Sequence, residues 1–251
     1  GQLVGFTNLE DGSGIEGLEK RMNGVLAGKP GKRVEIRDPR LGETVRVAEA
    51  RDPVAGADIE LTIDAKIPEK FETILASYRR TYSAKSAMGV IMNPNTGAII
   101  AMTSVPRVNP NDRKNLDPAT TQHRSVTDPY EPGSVYKTFT VAGALEEGLV
   151  TPDTPFNLPP TLTIAPDTDD EFTLKEAHPR ETWATLTTTQ ILQESSNIGA
   201  IKVSDLLRKR NRLRPWMARF GFGTKTAVDL AAENAGDLPP RRSTWADPAL
   251  L

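Results

Sequence analysis

Hydrophobic positions follow two different patterns along this chain, and the change from one to the other predicts how the chain is organised. Residues 1–57 are rich in glycine and charge, and apolar and polar side chains alternate in two short runs, at 34–37 and 44–47. Alternation of this kind is typical of half-buried strands. We therefore predict that residues 1–57 form part of a small strand-rich N-terminal module with a supporting role.

Residues 58–251 are predicted to form a second and larger domain with longer elements. Residues 58–63 have the pattern of a strand, and apolar side chains at helical spacing predict a helix over 65–82. Two nearly continuous apolar runs, at 87–92 and 98–102, flank the turn sequence Asn-Pro-Asn-Thr-Gly. Such runs are expected for the arms of a hairpin that is covered on both faces.

A long polar loop, residues 103–129, leads into the octapeptide Tyr-Glu-Pro-Gly-Ser-Val-Tyr-Lys at 130–137. Proline and glycine interrupt the structure before the serine, and apolar residues then recur at helical spacing as far as Gly148. We predict a helix that begins at Ser134. Because Ser134 and Lys137 are three residues apart, their side chains should lie on the same face of that helix.

A serine and a lysine on one helix face can form a nucleophile and its base. A serine hydroxyl is a poor nucleophile until a base takes its proton. A lysine can be that base only if its pKa, about 10.4 in a model peptide, falls toward neutrality. A helix N-terminus and burial both disfavour the ammonium form, and a drop of roughly three units corresponds to about 4 kcal/mol. The bare S-x-x-K pattern is common by chance, but its place in Y-E-P-G-S at an apolar helix start favours Ser134 as a nucleophile and Lys137 as its base.

A second motif, Ser-Ser-Asn at 195–197, interrupts another helical pattern. Helical spacing over 185–194 breaks at these three residues and resumes through Leu207. Serine and asparagine commonly cap helices, so S-x-N alone is a weak signal. Together with Ser134 and Lys137, however, Ser195 and Asn197 would complete the set that serine acyl transfer needs, with a proton-relaying hydroxyl and an amide that orients the substrate.

The composition excludes several classes of chemistry. The chain has no cysteine, which excludes disulfides, thiolate zinc sites and cysteine nucleophiles. Its formal net charge of −2 gives no support for nucleic-acid binding. A Ser-His-Asp enzyme would have to use His123 or His178, and a lysine base is favoured because Lys137 is already in place. No apolar stretch approaches the roughly 20 residues of a membrane span, so any anchor is expected to lie outside this sequence.

Two charged clusters have alternative interpretations. The acidic residues at 167–171 could bind calcium, but their spacing matches no known ligand loop, so a solvated surface turn is favoured. The basic run at 208–214 could bind nucleic acid, but cations are favoured at the end of a helix by its dipole. We predict no metal, no cofactor and no nucleic-acid partner.

The order of short motifs along the chain resembles that of the class B penicillin-binding proteins, and S-x-x-K and S-x-N are motifs of that enzyme group. The matching segments are E-G-L-E at 16–19, L-x-G-x-P-G at 26–31, L-T-I-D at 61–64, N-P-N-T-G at 93–97, A-M-x-S-x-P at 101–106, N-P-N at 109–111, Y-E-P-G-S-x-x-K at 130–137, S-S-N at 195–197 and F-G-F-G at 220–223. The resemblance runs through most of the chain.

The resemblance implies an α+β fold, in which a transpeptidase-type domain of helices packed on an antiparallel sheet stands on a strand-rich pedestal that would include residues 1–57. It also implies four roles at the active site. Ser134 would be the acylated nucleophile and Lys137 its base. Ser195 would relay protons, and Asn197 would contact the substrate amide.

The same resemblance implies a substrate, a location and partners. The family's reaction joins the D-Ala carbonyl of one peptidoglycan stem peptide to an amine on another, and β-lactam antibiotics mimic the D-Ala-D-Ala end and trap the acyl-enzyme. The protein would lie on the extracytoplasmic side of a bacterial cell membrane, anchored by an N-terminal segment that is not in this sequence. Its protein partners would be a glycosyltransferase and other proteins of division or elongation.

One departure from the family pattern concerns its third motif, K-T-G on a strand. The sequence at 225–227, Lys-Thr-Ala, lies in a segment that resembles the family's F-G-F-G-x-x-T-G region, so we do not take it as that motif. We expect the true motif beyond Leu251, in the remaining part of the transpeptidase domain, which another chain or a longer sequence would supply. The hairpin at 87–102 should then have an unpaired apolar edge, and a closed five-stranded sheet would contradict this expectation. The resemblance implies an oxyanion hole made of the Ser134 backbone N–H and one N–H from the K-T-G strand. Because loss of one such donor typically costs about 10²–10³ in rate, these residues alone should be catalytically incomplete.

Two alternatives remain open on the sequence. A serine β-lactamase or D,D-carboxypeptidase shares the same motifs, although a β-lactamase needs a carboxylate that activates water, and no acid is placed for that role near S-S-N. A non-catalytic penicillin sensor or divisome scaffold would keep the serine site while binding partner proteins.

Overall fold

The computed structural model describes two compact units of the chain. The described residues are 1–37, 40, 44–164, 166 and 171–238. The first unit consists of Gly1–Asp128 with Ala227–Asn234, and the second of Pro129–Thr226 with the described part of Ala235–Leu251. Apart from Glu171, the acidic cluster considered as a calcium site lies outside the described residues.

The first unit combines short strand pairs with one long helix. Its elements are β1 (Phe6–Thr7), β2 (Gly14–Glu16), α1 (Gly17–Arg21), α2 (Asn23–Leu26), β3 (Lys32–Arg37), β4 (Thr44–Arg51), α3 (Ile67–Thr81), β5 (Ala87–Met92), β6 (Ile99–Val105), a 3₁₀ turn (Arg113–Asn115), α4 (Pro118–Thr121) and α5 (Arg124–Thr127). Strands β3 and β4 pair antiparallel, which confirms the two strands predicted from alternation. The helix predicted over 65–82 is confirmed as α3.

The strand predicted at 58–63 is wrong. These residues lie beside β6 without forming a ladder with it. They are held there by a backbone hydrogen bond from Asp64 N to Ile100 O, 2.9 Å, and by one from Thr62 Oγ1 to Ile99 O, 2.7 Å. A ladder needs repeated backbone pairs, and a single backbone bond does not supply them.

The predicted hairpin is confirmed, although only one of its arms is well covered. Strands β5 and β6 pair antiparallel from Ala87↔Val105 to Met92↔Ile99. The last five residues of β6 are buried, whereas Val90 and Met92 of β5 are exposed, so the expectation of two covered faces is wrong for β5. In the described part of the chain every sheet has two strands, so no closed five-stranded sheet is present and the β5–β6 hairpin is joined to no third strand, as expected.

Gly89 of β5 is required by the close approach of α3. A Cβ at this position would lie 2.3 Å from Phe71 Cζ. We expect Gly89→Ala to lower the free energy of unfolding by about 1–3 kcal/mol, because Phe71 must leave its place in an overpacked contact. Gly24 is a matched control in the same unit, since a Cβ there would meet nothing within 4 Å. Urea denaturation of both variants tests this, and an equal, small effect of the two substitutions would contradict the packing described.

The second unit carries both sequence motifs. Its elements are a 3₁₀ turn (Gly133–Tyr136), α6 (Lys137–Glu146), β7 (Pro155–Leu158), β8 (Thr161–Ile164), β9 (Phe172–Lys175), β10 (Ala184–Thr187), α7 (Thr188–Gln193), α8 (Asn197–Lys209) and α9 (Leu213–Arg219). Strand β7 pairs with β10, and β8 pairs with β9, both antiparallel. The helix predicted to begin at Ser134 is confirmed, with its first turn in 3₁₀ form.

The start predicted for the helix over 185–194 is wrong, because Ala184–Thr187 form strand β10. Thr187 ends this strand and caps α7. Its side chain accepts a hydrogen bond from Gln190 N, 3.2 Å, while the Gln190 side chain accepts one from Thr187 N, 2.8 Å. This is a capping box, a reciprocal pair that fixes the first turn of a helix. The T-x-x-Q sequence is therefore the signal that places the helix start at Thr188.

One hydrophobic core holds α6, α8 and α9 together. Its buried residues are Val141, Ala144, Val150, Leu158, Leu186, Ile191, Ile198, Val203, Leu207, Leu213, Trp216 and Met217. Each fully buried aliphatic side chain of this kind contributes roughly 1.5–3 kcal/mol. Because S-x-x-K lies at the start of α6 and S-S-N at the start of α8, the same core fixes both motifs.

No helix within residues 1–37, 44–164 and 171–238 combines the length and the apolar character that crossing a membrane requires.

Candidate active site

Ser134 lies in an exposed 3₁₀ turn that leads into α6. Gly133 begins the turn with a φ of +59°, a backbone conformation that glycine adopts at no steric cost. The Ser134 side chain is exposed, and its neighbours Tyr130 and Val135 are 75% and 68% exposed. The turn therefore presents Ser134 to solvent.

Lys137, the first residue of α6, reaches the S-S-N motif. Its Nζ donates hydrogen bonds to Ser195 O at 2.6 Å, to Asn197 Oδ1 at 2.6 Å and to Ser195 Oγ at 3.2 Å. An ammonium group has three N–H donors, and these three acceptors match them. The structure thus brings together three of the four site residues predicted from sequence.

The fourth predicted residue, Ser134, is not hydrogen-bonded to the other three. Among residues 1–37, 44–164 and 171–238, no partner for its hydroxyl is found within hydrogen-bonding distance. It stands one helical turn before Lys137. A groove of about 180 Å³ opens next to it, lined in part by Gly133, Lys137 and Asn197.

Burial lowers the pKa of Lys137 below its ordinary value. The largest cause is the loss of solvent around the ammonium group, and the negative charge of Glu176 opposes it by favouring the charged form. The net direction is the one that a lysine base requires.

Ser195 occupies an unusual backbone conformation that directs it toward Lys137. Its φ is +53°. Helix α7 ends here in a Schellman motif, in which Ser196 N bonds to Ile191 O at 2.9 Å and Ser195 N to Leu192 O at 3.2 Å. A left-handed conformation costs a residue with a Cβ roughly 1–2 kcal/mol, and glycine is the usual choice at this position. Strain of this kind is concentrated at functional sites.

The middle residue of the motif, Ser196, caps the next helix. It is buried, and its Oγ accepts a hydrogen bond from Gly199 N at 2.9 Å. The capping role that a Ser-Asn pair often has is therefore taken by Ser196. Ser195 and Asn197 on either side are left to contact Lys137.

Glu176 is a residue of this region that the sequence did not single out. It follows β9 directly and is 7% exposed. Its Oε1 accepts a hydrogen bond from Ser196 Oγ, and its Oε2 accepts one from Asn197 N, both at 2.6 Å. The only sequence signal is that Glu176 follows the alternating run 172–175, which places its side chain on the same face as Leu174.

Comparison with known proteins settles the family. The family described as "Penicillin binding protein transpeptidase domain" matches residues 87–250, which is more than half of the chain. The chain belongs to this transpeptidase family. The resemblance noted from the sequence and the predicted α+β class are both confirmed.

Two curated members of the family are similar over nearly all of the chain. The peptidoglycan D,D-transpeptidase FtsI of Escherichia coli K12 is 32% identical over 245 residues, which is 98% of this chain and 40% of that protein. The protein of Pseudomonas aeruginosa described as probable peptidoglycan D,D-transpeptidase PbpC is 34% identical over 240 residues, or 95% of this chain and 40% of that protein. The chain spans about two fifths of the length of these relatives.

Solved structures of the family have the same fold. The crystal structure of penicillin-binding protein 3 from Mycobacterium tuberculosis matches with a TM-score of 0.79 and 27% identity, over 95% of this chain and 48% of that one. The peptidoglycan synthetase of Bifidobacterium adolescentis matches with a TM-score of 0.78 and 27% identity, over 96% of this chain and 42% of that one. The Mycobacterium tuberculosis protein was also solved in complex with aztreonam and with ampicillin.

Proposed function

We propose that this protein is a serine-type peptidoglycan D,D-transpeptidase that cross-links stem peptides through an acyl-enzyme on Ser134. The observation that supports it most is the cluster around Lys137, whose Nζ lies 2.6 Å from Asn197 Oδ1 and 3.2 Å from Ser195 Oγ. This places a half-buried amine, a hydroxyl and an amide beside the exposed Ser134 turn, inside the segment that matches the transpeptidase family.

The first half of the reaction forms the acyl-enzyme. Ser134 Oγ attacks the carbonyl carbon of the penultimate D-Ala, and its proton passes to the neutral amine of Lys137. The bond between that carbonyl carbon and the nitrogen of the terminal D-Ala then breaks. The leaving nitrogen takes a proton, relayed through the Ser195 hydroxyl, and Asn197 holds the amide of the stem peptide.

The second half transfers the acyl group to another stem peptide. An amine of that peptide attacks the ester carbon and gives a proton to Lys137. The bond to Ser134 Oγ breaks, and Ser134 regains its proton, so that the enzyme returns to its starting state. A β-lactam follows the first half alone, because its ring opens on Ser134 and no leaving group departs.

The same proposal assigns a location and partners. The protein acts on the extracytoplasmic side of a bacterial cell membrane, beside a glycosyltransferase and other proteins of division or elongation. The supporting facts are the names of its relatives as peptidoglycan transpeptidases.

A cross-linking assay tests the proposal. The full-length protein that contains this chain is incubated with a stem pentapeptide ending in D-Ala-D-Ala and with an acceptor amine, and products are followed by mass spectrometry. We expect a cross-linked dimer and one free D-Ala for each bond formed, both blocked by prior treatment with ampicillin. Release of D-Ala without a dimer would support a carboxypeptidase instead, and no release together with no β-lactam labelling would support a non-catalytic scaffold.

Ser195→Gly separates the backbone role of this residue from its hydroxyl. Because glycine adopts the φ of +53° freely, we expect the free energy of unfolding to rise by about 1 kcal/mol relative to Ser195→Ala. Both variants lack the relaying hydroxyl, so β-lactam acylation should fall about 10²-fold in each. Equal stability of the two variants would contradict the strain, and an undiminished acylation rate would contradict the relay.

A further inference from the structure

A buried carboxylate lies directly behind the S-S-N turn. Glu176 receives two hydrogen bonds at 2.6 Å, one from Ser196 Oγ and one from Asn197 N. Burial of a carboxylate is costly unless it is paired or hydrogen-bonded. One donor is an O–H group and the other is an N–H group, so both carboxyl oxygens of Glu176 accept a hydrogen bond, as the oxygens of an ionised carboxylate do.

The same strand end also fixes the side chain of Asn197. Its Nδ2 donates to the backbone oxygen of Lys175 at 3.3 Å, and its backbone N donates to Glu176. With the amide nitrogen facing β9, the amide oxygen Oδ1 is left to face Lys137 Nζ at 2.6 Å. The end of β9 therefore determines which way the Asn197 amide points.

We propose that Glu176 is a positioning residue of the acylation site, whose carboxylate holds Ser196 and Asn197 so that Asn197 Oδ1 and Ser195 O meet Lys137. The inference rests on the proposed function. Glu176 acts through the S-S-N turn.

Charge is the second route by which Glu176 reaches Lys137. The charged group near Lys137 is Glu176, at the end of β9. Ser195 and Asn197 contribute neutral oxygens. Tyr136 precedes Lys137 in the chain, and burial raises the pKa of its phenol group. Behind Glu176 lies Arg180, whose Nη1 is 3.9 Å from Glu176 Oε1 and which also pairs with Glu194. Because the Glu176 charge raises the pKa of Lys137, its removal should lower that pKa further.

The test compares three variants of the full-length protein by the second-order rate of acylation with a fluorescent penicillin across pH. Glu176→Gln removes the charge and places an NH₂ group opposite a donor, so we expect the rate to fall about tenfold. The acidic limb of its pH profile should move to lower pH, because Lys137 loses its proton at lower pH. Glu176→Asp keeps the negative charge on a shorter side chain. The acidic limb of its pH profile should therefore stay at the wild-type pH, while its acylation rate is reduced. Glu181→Gln is the control, since Glu181 is an exposed glutamate five residues after Glu176.

Each outcome decides the proposal. A Gln variant with the rate and pH profile of Glu181→Gln overturns it. A thermal melt shows whether the Glu176→Gln variant folds. If it does not fold, the Glu176→Asp variant is the test. A reduced acylation rate in folded Glu176→Asp protein supports the positioning role, and the wild-type acylation rate overturns it. If the wild-type protein is not acylated at Ser134 at all, the proposed function fails; if the wild type is acylated and the Gln variant is acylated equally well, only the role of Glu176 fails.

Discussion

Ser134→Ala is expected to abolish acylation by penicillin while leaving the fold intact. The substitution removes the only atom that would form the ester, so no covalent adduct can accumulate on the motif. Because the Ser134 side chain is exposed, its loss should change the free energy of unfolding by less than about 0.5 kcal/mol. The measurement is the rate of fluorescent penicillin labelling, followed on gels, together with a thermal melt of the same protein.

The matched control for Ser134→Ala is Thr138→Ala. Thr138 carries an exposed hydroxyl four residues further along, on the first turn of α6. The Thr138→Ala variant should be labelled by fluorescent penicillin at the wild-type rate. Labelling of the Ser134→Ala variant at a rate comparable to the control would show that another residue is the nucleophile.

Lys137→Arg should lower the acylation rate by about 10²–10⁴, which is the range that general base catalysis contributes. Arginine keeps the positive charge and the hydrogen-bond donors, but it cannot be deprotonated at accessible pH. If Lys137 served only to hold Ser195 and Asn197, Arg would retain much of the activity. In the proposed mechanism the neutral amine is the base, and the wild-type rate should therefore rise with pH as Lys137 loses its proton. Burial lowers the Lys137 pKa, so this rise comes at a lower pH than for an exposed lysine.

Lys225→Met is the control for that experiment and also tests the interpretation of Lys-Thr-Ala at 225–227. Lys225 is exposed, and it lies in the segment that resembles the family's F-G-F-G-x-x-T-G region rather than its K-T-G motif. Its substitution should leave both the rate and the pH profile unchanged. A loss of rate comparable to that of Lys137→Arg would mean that Lys225 belongs to the site after all.

Local signals in the sequence predicted the parts of the site that depend on helix geometry. Proline and glycine before Ser134 marked the start of a helix, and the break at Ser195–Asn197 marked the junction of α7 and α8. Both predictions hold, because such interruptions act on the backbone within a few residues. The pairing of Lys137 with Ser195 and Asn197 needed the family resemblance, since 58 residues separate Lys137 from Ser195.

The features that the sequence did not reveal depend on packing between distant segments. Nothing in the sequence distinguishes Glu176 from the other acidic residues of the chain, and it is buried because β9 ends against the start of α8. The sequence places 185–187 in a helix rather than in strand β10, because nothing nearby in sequence indicates β7, whose paired residues lie 26 to 32 positions earlier. Residues 58–63 show the reverse error, because their sequence has the pattern of a strand but their backbone forms no ladder with a neighbouring strand.

The most direct test of the central claim is to locate the covalent adduct. The full-length wild-type protein is treated with a β-lactam, digested, and mapped by tandem mass spectrometry at saturating and at limiting reagent. We expect one adduct per molecule, carried by Ser134 within the peptide that contains Y-E-P-G-S-V-Y-K. An adduct on Ser195, on any other residue, or on none would contradict it.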